Sequence, residues 1–110
     1  MAQIHAACGD IIDLQPLGGA LSEQVSTALI KSEQLELIRI VLSAGKAMRE
    51  HRVQGETTLL CIEGEIELST PSATRRLQPG HLVLLAAGEP HGLLALADAS
   101  ALLTICLAAP

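Results

Sequence analysis

The sequence predicts an all-β fold, an antiparallel barrel or sandwich in one domain. Three observations carry that expectation. No segment sustains helical periodicity anywhere along the 110 residues. Short apolar or alternating runs recur instead, each bounded by Gly, Pro, Asp or Ser. The length suits one hydrophobic core and falls short of a second.

Ile11 to Leu14 is expected to form a first short strand, with Pro16, Leu17, Gly18 and Gly19 as its exit loop. Val25 to Ile30 and Gln34 to Leu42 then read as a hairpin about Lys31, Ser32 and Glu33. In the second run Leu35, Leu37, Arg39 and Val41 alternate with Glu36, Ile38, Ile40 and Leu42. Both faces are largely apolar, so the pattern predicts cover on both sides, from the barrel and from a partner subunit.

Six strands follow in quick succession: Thr57 to Ile62, Glu65 to Ser69, Thr74 to Leu77, Leu82 to Leu85, Gly92 to Leu96 and Ala101 to Leu107. Turns at Glu63-Gly64, Thr70-Pro71-Ser72, Gln78-Pro79-Gly80 and Ala97 to Ser100 separate them. Glu65, Glu67 and Ser69 alternate with Ile66 and Leu68, which predicts one wet face and one buried face. The whole chain, 1–110, is one domain. Residues 1–33 supply N-terminal strands and loops at a dimer interface, and 34–107 supply the barrel.

Composition narrows the function. No Phe, Tyr or Trp occurs, so the core must be aliphatic, and there is no aromatic platform for stacking bases or sugars. A net charge of −5 with only seven Lys plus Arg excludes a nucleic-acid footprint. The apolar runs are far shorter than the roughly 18 residues of a membrane span. The opening residues show no basic segment followed by an apolar one, so the chain reads as a soluble cytoplasmic protein. Cys8, Cys61 and Cys106 are odd in number and far apart, which predicts reduced, structural thiols. The positive mean hydropathy suggests a homodimer that covers excess apolar surface.

Two glycine-and-histidine segments carry the strongest signal. The first runs from Gly45 through His51 and the strand at Thr57 to Gly64, and the second from Gly80 through Gly88 to His91. Their spacing resembles the two motifs of the cupin superfamily, with Gly45, His51, Gly64, Gly80, Gly88 and His91 in register over roughly residues 40 to 107. Four positions depart from the pattern. Val53 stands for the second His, Thr57 for the Glu, Ala86 for the Pro and Ala95 for the final Asn. The resemblance implies a double-stranded β-helix, the jelly-roll barrel of that superfamily, with both motifs facing one cavity. It also implies a divalent transition metal (Fe, Ni, Zn or Mn), with two of the four usual ligands absent here.

Period-two alternation puts Thr57, Leu59 and Cys61 on one side of their strand. In the cupin register that side faces the cavity. The candidate pocket is therefore His51, Thr57, Leu59, Cys61, His91 and, if it points inward, Arg39, whose guanidinium would hold an anion. The candidate metal ligands are His51 and His91, completed by Glu56 only if the loop bulges at Gly55 to bring that carboxylate inward. Glu56 otherwise lies one residue out of register with Thr57. Met48 reads as a gap-filler, and Thr74-Arg75-Arg76 as a solvated strand edge.

These residues support a small-molecule-binding barrel whose aliphatic pocket is flanked by two histidines. A metal-dependent dioxygenase or isomerase using His51, His91 and a non-standard third ligand is the alternative, and a barrel serving only as a dimeric interaction module is a third. No nucleophile elbow or phosphate-cradling loop appears.

Overall fold

A computed structural model describes residues 5–51 and 53–107, the side chains of residues 50 and 51 excepted. Among the described residues nine strands form two antiparallel sheets. They are β1 (Thr27–Lys31), β2 (Leu35–Leu42), β3 (Ala47–His51), β4 (Thr57–Glu63), β5 (Ile66–Ser69), β6 (Thr74–Leu77), β7 (Leu82–Leu85), β8 (His91–Ala95) and β9 (Ala99–Cys106). Sheet A has the order β1-β2-β9-β4-β7, and sheet B the order β3-β8-β5-β6. Among the described residues no helix is long and apolar enough to cross a membrane.

Alternation along each strand decides what lies between the sheets. From sheet A, Ile40 and Leu42 (β2), Leu59 and Cys61 (β4), Leu85 (β7), and Ala99, Ala101, Leu103 and Ile105 (β9) point inward. From sheet B come Ile66, Leu68, Leu77, Leu93 and Ala95. With no aromatic ring available, volume is filled by setting small residues against branched ones. Ala101 stands opposite Ile40, Ala99 opposite Leu42, and Ala95 opposite Ile66. Burial of each Leu or Ile contributes about 1.5–3 kcal/mol. This aliphatic cluster is the main source of stability.

Sequence and structure part at the N-terminus. Ile11 to Leu14 is not a strand: its backbone has no ladder partner, and Ile11 is 97% exposed. The expected exit loop continues instead into a short 3-10 helix, Gly18–Glu23, which buries Leu21. Ala47–His51, unassigned from its sequence, is a strand because it pairs with β8.

Residues 13–18 cross the outer face of sheet A and are held there by two side chains. Arg39 alternates with the inward Ile38 and Ile40, so it points outward. Its Nη1 donates to the Asp13 carbonyl at 3.4 Å, and its Nη2 donates to the Gln15 carbonyl. Cover over β2 at this point therefore comes from the chain itself. The second tie is Glu63. A bulge between Cys61 and Glu63 sets Glu63 opposite Ser100 on the outer face, where unbroken alternation would have turned it inward. Its carboxylate accepts the amides of Leu17 at 2.8 Å and Gly18 at 3.0 Å.

Two glycines are fixed by close backbone approach. A Cβ on Gly64, at φ +78°, would lie 2.1 Å from the Asp98 carbonyl oxygen, and one on Gly55 would lie 1.9 Å from that of Cys106. Any side chain at either place would force strands apart.

Candidate functional site

The β4–β5 hairpin puts the start of β4 and the end of β5 at one end of the barrel. Thr57 pairs there with Leu85 and Ile105, while Ser69 pairs with Gly92 and the backbone of His51 pairs with His91. Two loops close this end, and they are joined directly. The Gly88 amide donates to the Val53 carbonyl at 2.8 Å. Both glycine-and-histidine segments thus meet at one end of the barrel, as the resemblance implies.

At that end His91 is 2% exposed, on the inward face of β8 with Leu93 and Ala95. Its Nδ1 lies 3.2 Å from the Glu89 carbonyl oxygen, a contact that favours the Nδ1–H tautomer. Thr57 is buried beside the same end, and its hydroxyl donates to the Gly55 carbonyl at 3.5 Å. Val53, at the position of a family ligand, packs against the aliphatic cluster. The His51 side chain lies outside the described residues.

Four candidates are corrected. Glu56 is exposed rather than inward. Its carbonyl accepts the Cys106 amide at 3.0 Å, and Gly55 is pressed against the Cys106 carbonyl, so the loop has no slack to bulge. Arg39 faces away from the interior, under residues 13–15. Cys61 does point inward, but four residues from Thr57 along an extended strand is about 13 Å, which puts it toward the opposite end. There its thiol donates to the Glu63 carbonyl at 3.7 Å. Burial pushes the Cys61 thiol pKa up, and the nearby Glu63 charge adds to that. It is a neutral core thiol. Leu59, between the two, is a fully buried core residue rather than a pocket wall.

Among the described residues, His91 has no companion set of metal ligands. Among the described residues no three His, Cys, Asp or Glu side chains converge. Thr57 offers a hydroxyl already donated to backbone, Val53 offers no donor, and the Glu56 carboxylate is exposed.

Thr74, Arg75 and Arg76 are exposed, as expected of a solvated strand edge, but Arg75 also borders a cleft. In the β5–β6 register Arg75 stands opposite the buried Leu68 and two residues from the buried Leu77, so it lies on the inward face of β6. Parity with Leu77 was the available signal. Arg75 and Glu89 line a cleft of about 130 Å³ between β6 and β7, and a second cavity of about 220 Å³ lies against Val53, Gly55, Ile105 and Leu107.

No family model matches the sequence, and no curated protein matches it. Solved structures do match in shape. A cupin superfamily protein from Desulfitobacterium hafniense superposes with a TM-score of 0.77 at 18% identity, over 94% of this chain and all of the other. An RmlC-like cupin from Methanocaldococcus jannaschii, described as a double-stranded β-helix, gives 0.73 at 18% identity, over 89% and 93%. A polyketide cyclase from Streptomyces resistomycificus gives 0.66 at 21% identity, over 77% of this chain and 66% of its own. At such identities the likeness speaks for the fold.

Proposed function

With the cupin double-stranded β-helix as the fold of this chain, we propose that it is a small-molecule-binding barrel that works without a metal, its ligand held at the His91 end. One observation carries the reading. At that end the positions that hold imidazole and carboxylate ligands in the resemblance are occupied by Val53, half-buried against the core, and Thr57, bonded to the Gly55 carbonyl. A buried imidazole and a buried threonine hydroxyl at one end of an aliphatic barrel would suit recognition of one polar group on a small apolar skeleton. His51, at the same end by backbone pairing, is the second polar group of the proposal.

Protein purified without a histidine tag and equilibrated with Fe(II), Ni(II), Zn(II) and Mn(II) in turn is expected to retain none after gel filtration. Native mass spectrometry of the same preparation is expected to show a small adduct that His91→Ala loses. Near-stoichiometric metal, kept by the wild type and lost from a His51→Ala/His91→Ala double variant, would overturn the reading in favour of the metal-dependent enzyme. An adduct-free spectrum unaffected by either histidine, with no metal retained, would leave the interaction-module reading in its place.

A further inference from the structure

Sheet A ends at β7 and sheet B ends at β6, and these two edges flank the 130 Å³ cleft. Its floor is aliphatic, made by Leu68, Val83 and Leu85. Its rim carries two opposite charges, Arg75 from β6 and Glu89 from the loop before β8. An inward charge on an edge strand discourages edge-to-edge pairing by itself, so Arg75 alone assigns no ligand. Glu89 decides the matter.

The two groups share a cleft, yet no ion pair joins them among the described residues. The Arg75 guanidinium also has no hydrogen bond there. Glu89 Oε1 accepts the Ala86 amide at 3.3 Å, which steadies the carboxylate and leaves Oε2 for another donor. Opposite charges held apart over an apolar floor complement a molecule whose own charges are held apart by a short carbon skeleton.

We propose that this cleft binds a small zwitterion of the aliphatic α-amino acid class. The carboxylate sits on Arg75, the ammonium on Glu89, and the side chain on Leu68, Val83 and Leu85. The cavity equals about four water molecules' share of liquid volume, room for an alanine-sized ligand. Neither His91 nor Thr57 lines it, so this site and the one at the His91 end can each fail without the other.

Methyl and amide NMR of the full chain titrated with L-alanine, propionate and propylamine tests the assignment. L-Alanine is expected to give saturable shifts at Leu68, Val83 and Leu85. Propionate and propylamine, each leaving one protein charge unmatched, are expected to bind about tenfold more weakly or worse. Arg75→Gln and Glu89→Gln are each expected to weaken L-alanine binding about tenfold, and the second keeps an acceptor for the Ala86 amide. Unchanged amide shifts away from the cleft show that each variant is folded. The proposal is overturned by non-saturable L-alanine shifts, by propionate or propylamine binding as tightly, or by binding that survives both substitutions.

Discussion

Ser100 donates its hydroxyl to Glu63 Oε2 at 2.5 Å across the β4–β9 ladder, and this bond joins the barrel wall to the segment crossing over it. The carboxylate that receives it also accepts the Leu17 and Gly18 amides. One acidic side chain therefore ties three separate stretches of chain together.

Acid should release that tie. Burial alone would raise the Glu63 pKa. The Ser100 hydroxyl, the two amides and the Arg39 charge outweigh it, so the pKa is lowered from its ordinary value of 4.5. A lowered folded-state pKa means that the stability from Glu63 is complete above the unfolded carboxyl's pKa and is lost as pH falls through the folded value. Glu63→Gln is expected to cost about 1–3 kcal/mol near neutrality and to flatten the fall of Tm on acidification. Thermal unfolding of both proteins from neutral pH down to pH 3 checks this, and parallel curves would refute it.

Arg39→Lys is expected to loosen residues 13–18 without touching the interior. A lysine cannot reach two carbonyls with a planar fork. Hydrogen exchange at Leu17 and Gly18 should quicken about tenfold, while β4 and β9 amides keep their protection. Quickening spread evenly over sheet A would mean that Arg39 supports the barrel wall itself.

Gly64→Ala and Gly80→Ala should separate two kinds of glycine. Both sit at positive φ, but a Cβ at Gly80 meets open space and one at Gly64 meets the Asp98 carbonyl. Gly80→Ala is expected to cost about 1–2 kcal/mol of backbone strain. For Gly64→Ala the expected cost exceeds about 3 kcal/mol. Urea unfolding midpoints at equal m-value give the comparison, and equal losses would count against the contact.

Thiol labelling of the native protein is expected to show two fast equivalents, Cys8 and Cys106, which are exposed, and one slow equivalent, Cys61. The slow rate should follow global opening, rising with denaturant as the unfolded population rises. Fast labelling of all three would contradict the packed interior around β4.

Much of the barrel was legible because its physics is local. Turn residues at Glu63-Gly64 and Pro79-Gly80 bracket alternating runs, and Thr74–Leu77 and Leu82–Leu85 are strands at the expected bounds. The strand Ala47–His51 was hidden, since Ala, Met, Arg and Glu favour helix and only pairing with β8 overrides them. Arg39 was misread for a different reason. When both faces of a strand are apolar, alternation separates the faces without saying which one is inside, and the outer cover comes from residues more than twenty positions away. Glu63 escaped because a bulge resets parity, an event with no mark in the sequence. At the candidate site, the family resemblance implied that the two histidine segments meet, and they do meet at one end of the barrel, whereas the direction of Glu56 depended on the Cys106 backbone, fifty residues on.

The central place of β9 in sheet A has a consequence for how this protein is made. β2 and β4 both find their partner in Ala99–Cys106. During synthesis the ribosome therefore releases every other strand of the sheet before the one that joins them. Until then β2 and β4 expose unpaired, leucine-rich edges of the sort that associate with other chains. β1 with β2 and β4 with β7 can pair beforehand, but the two halves of sheet A join only once Ala99–Cys106 is available, and the interval before that is when a chaperone would matter most.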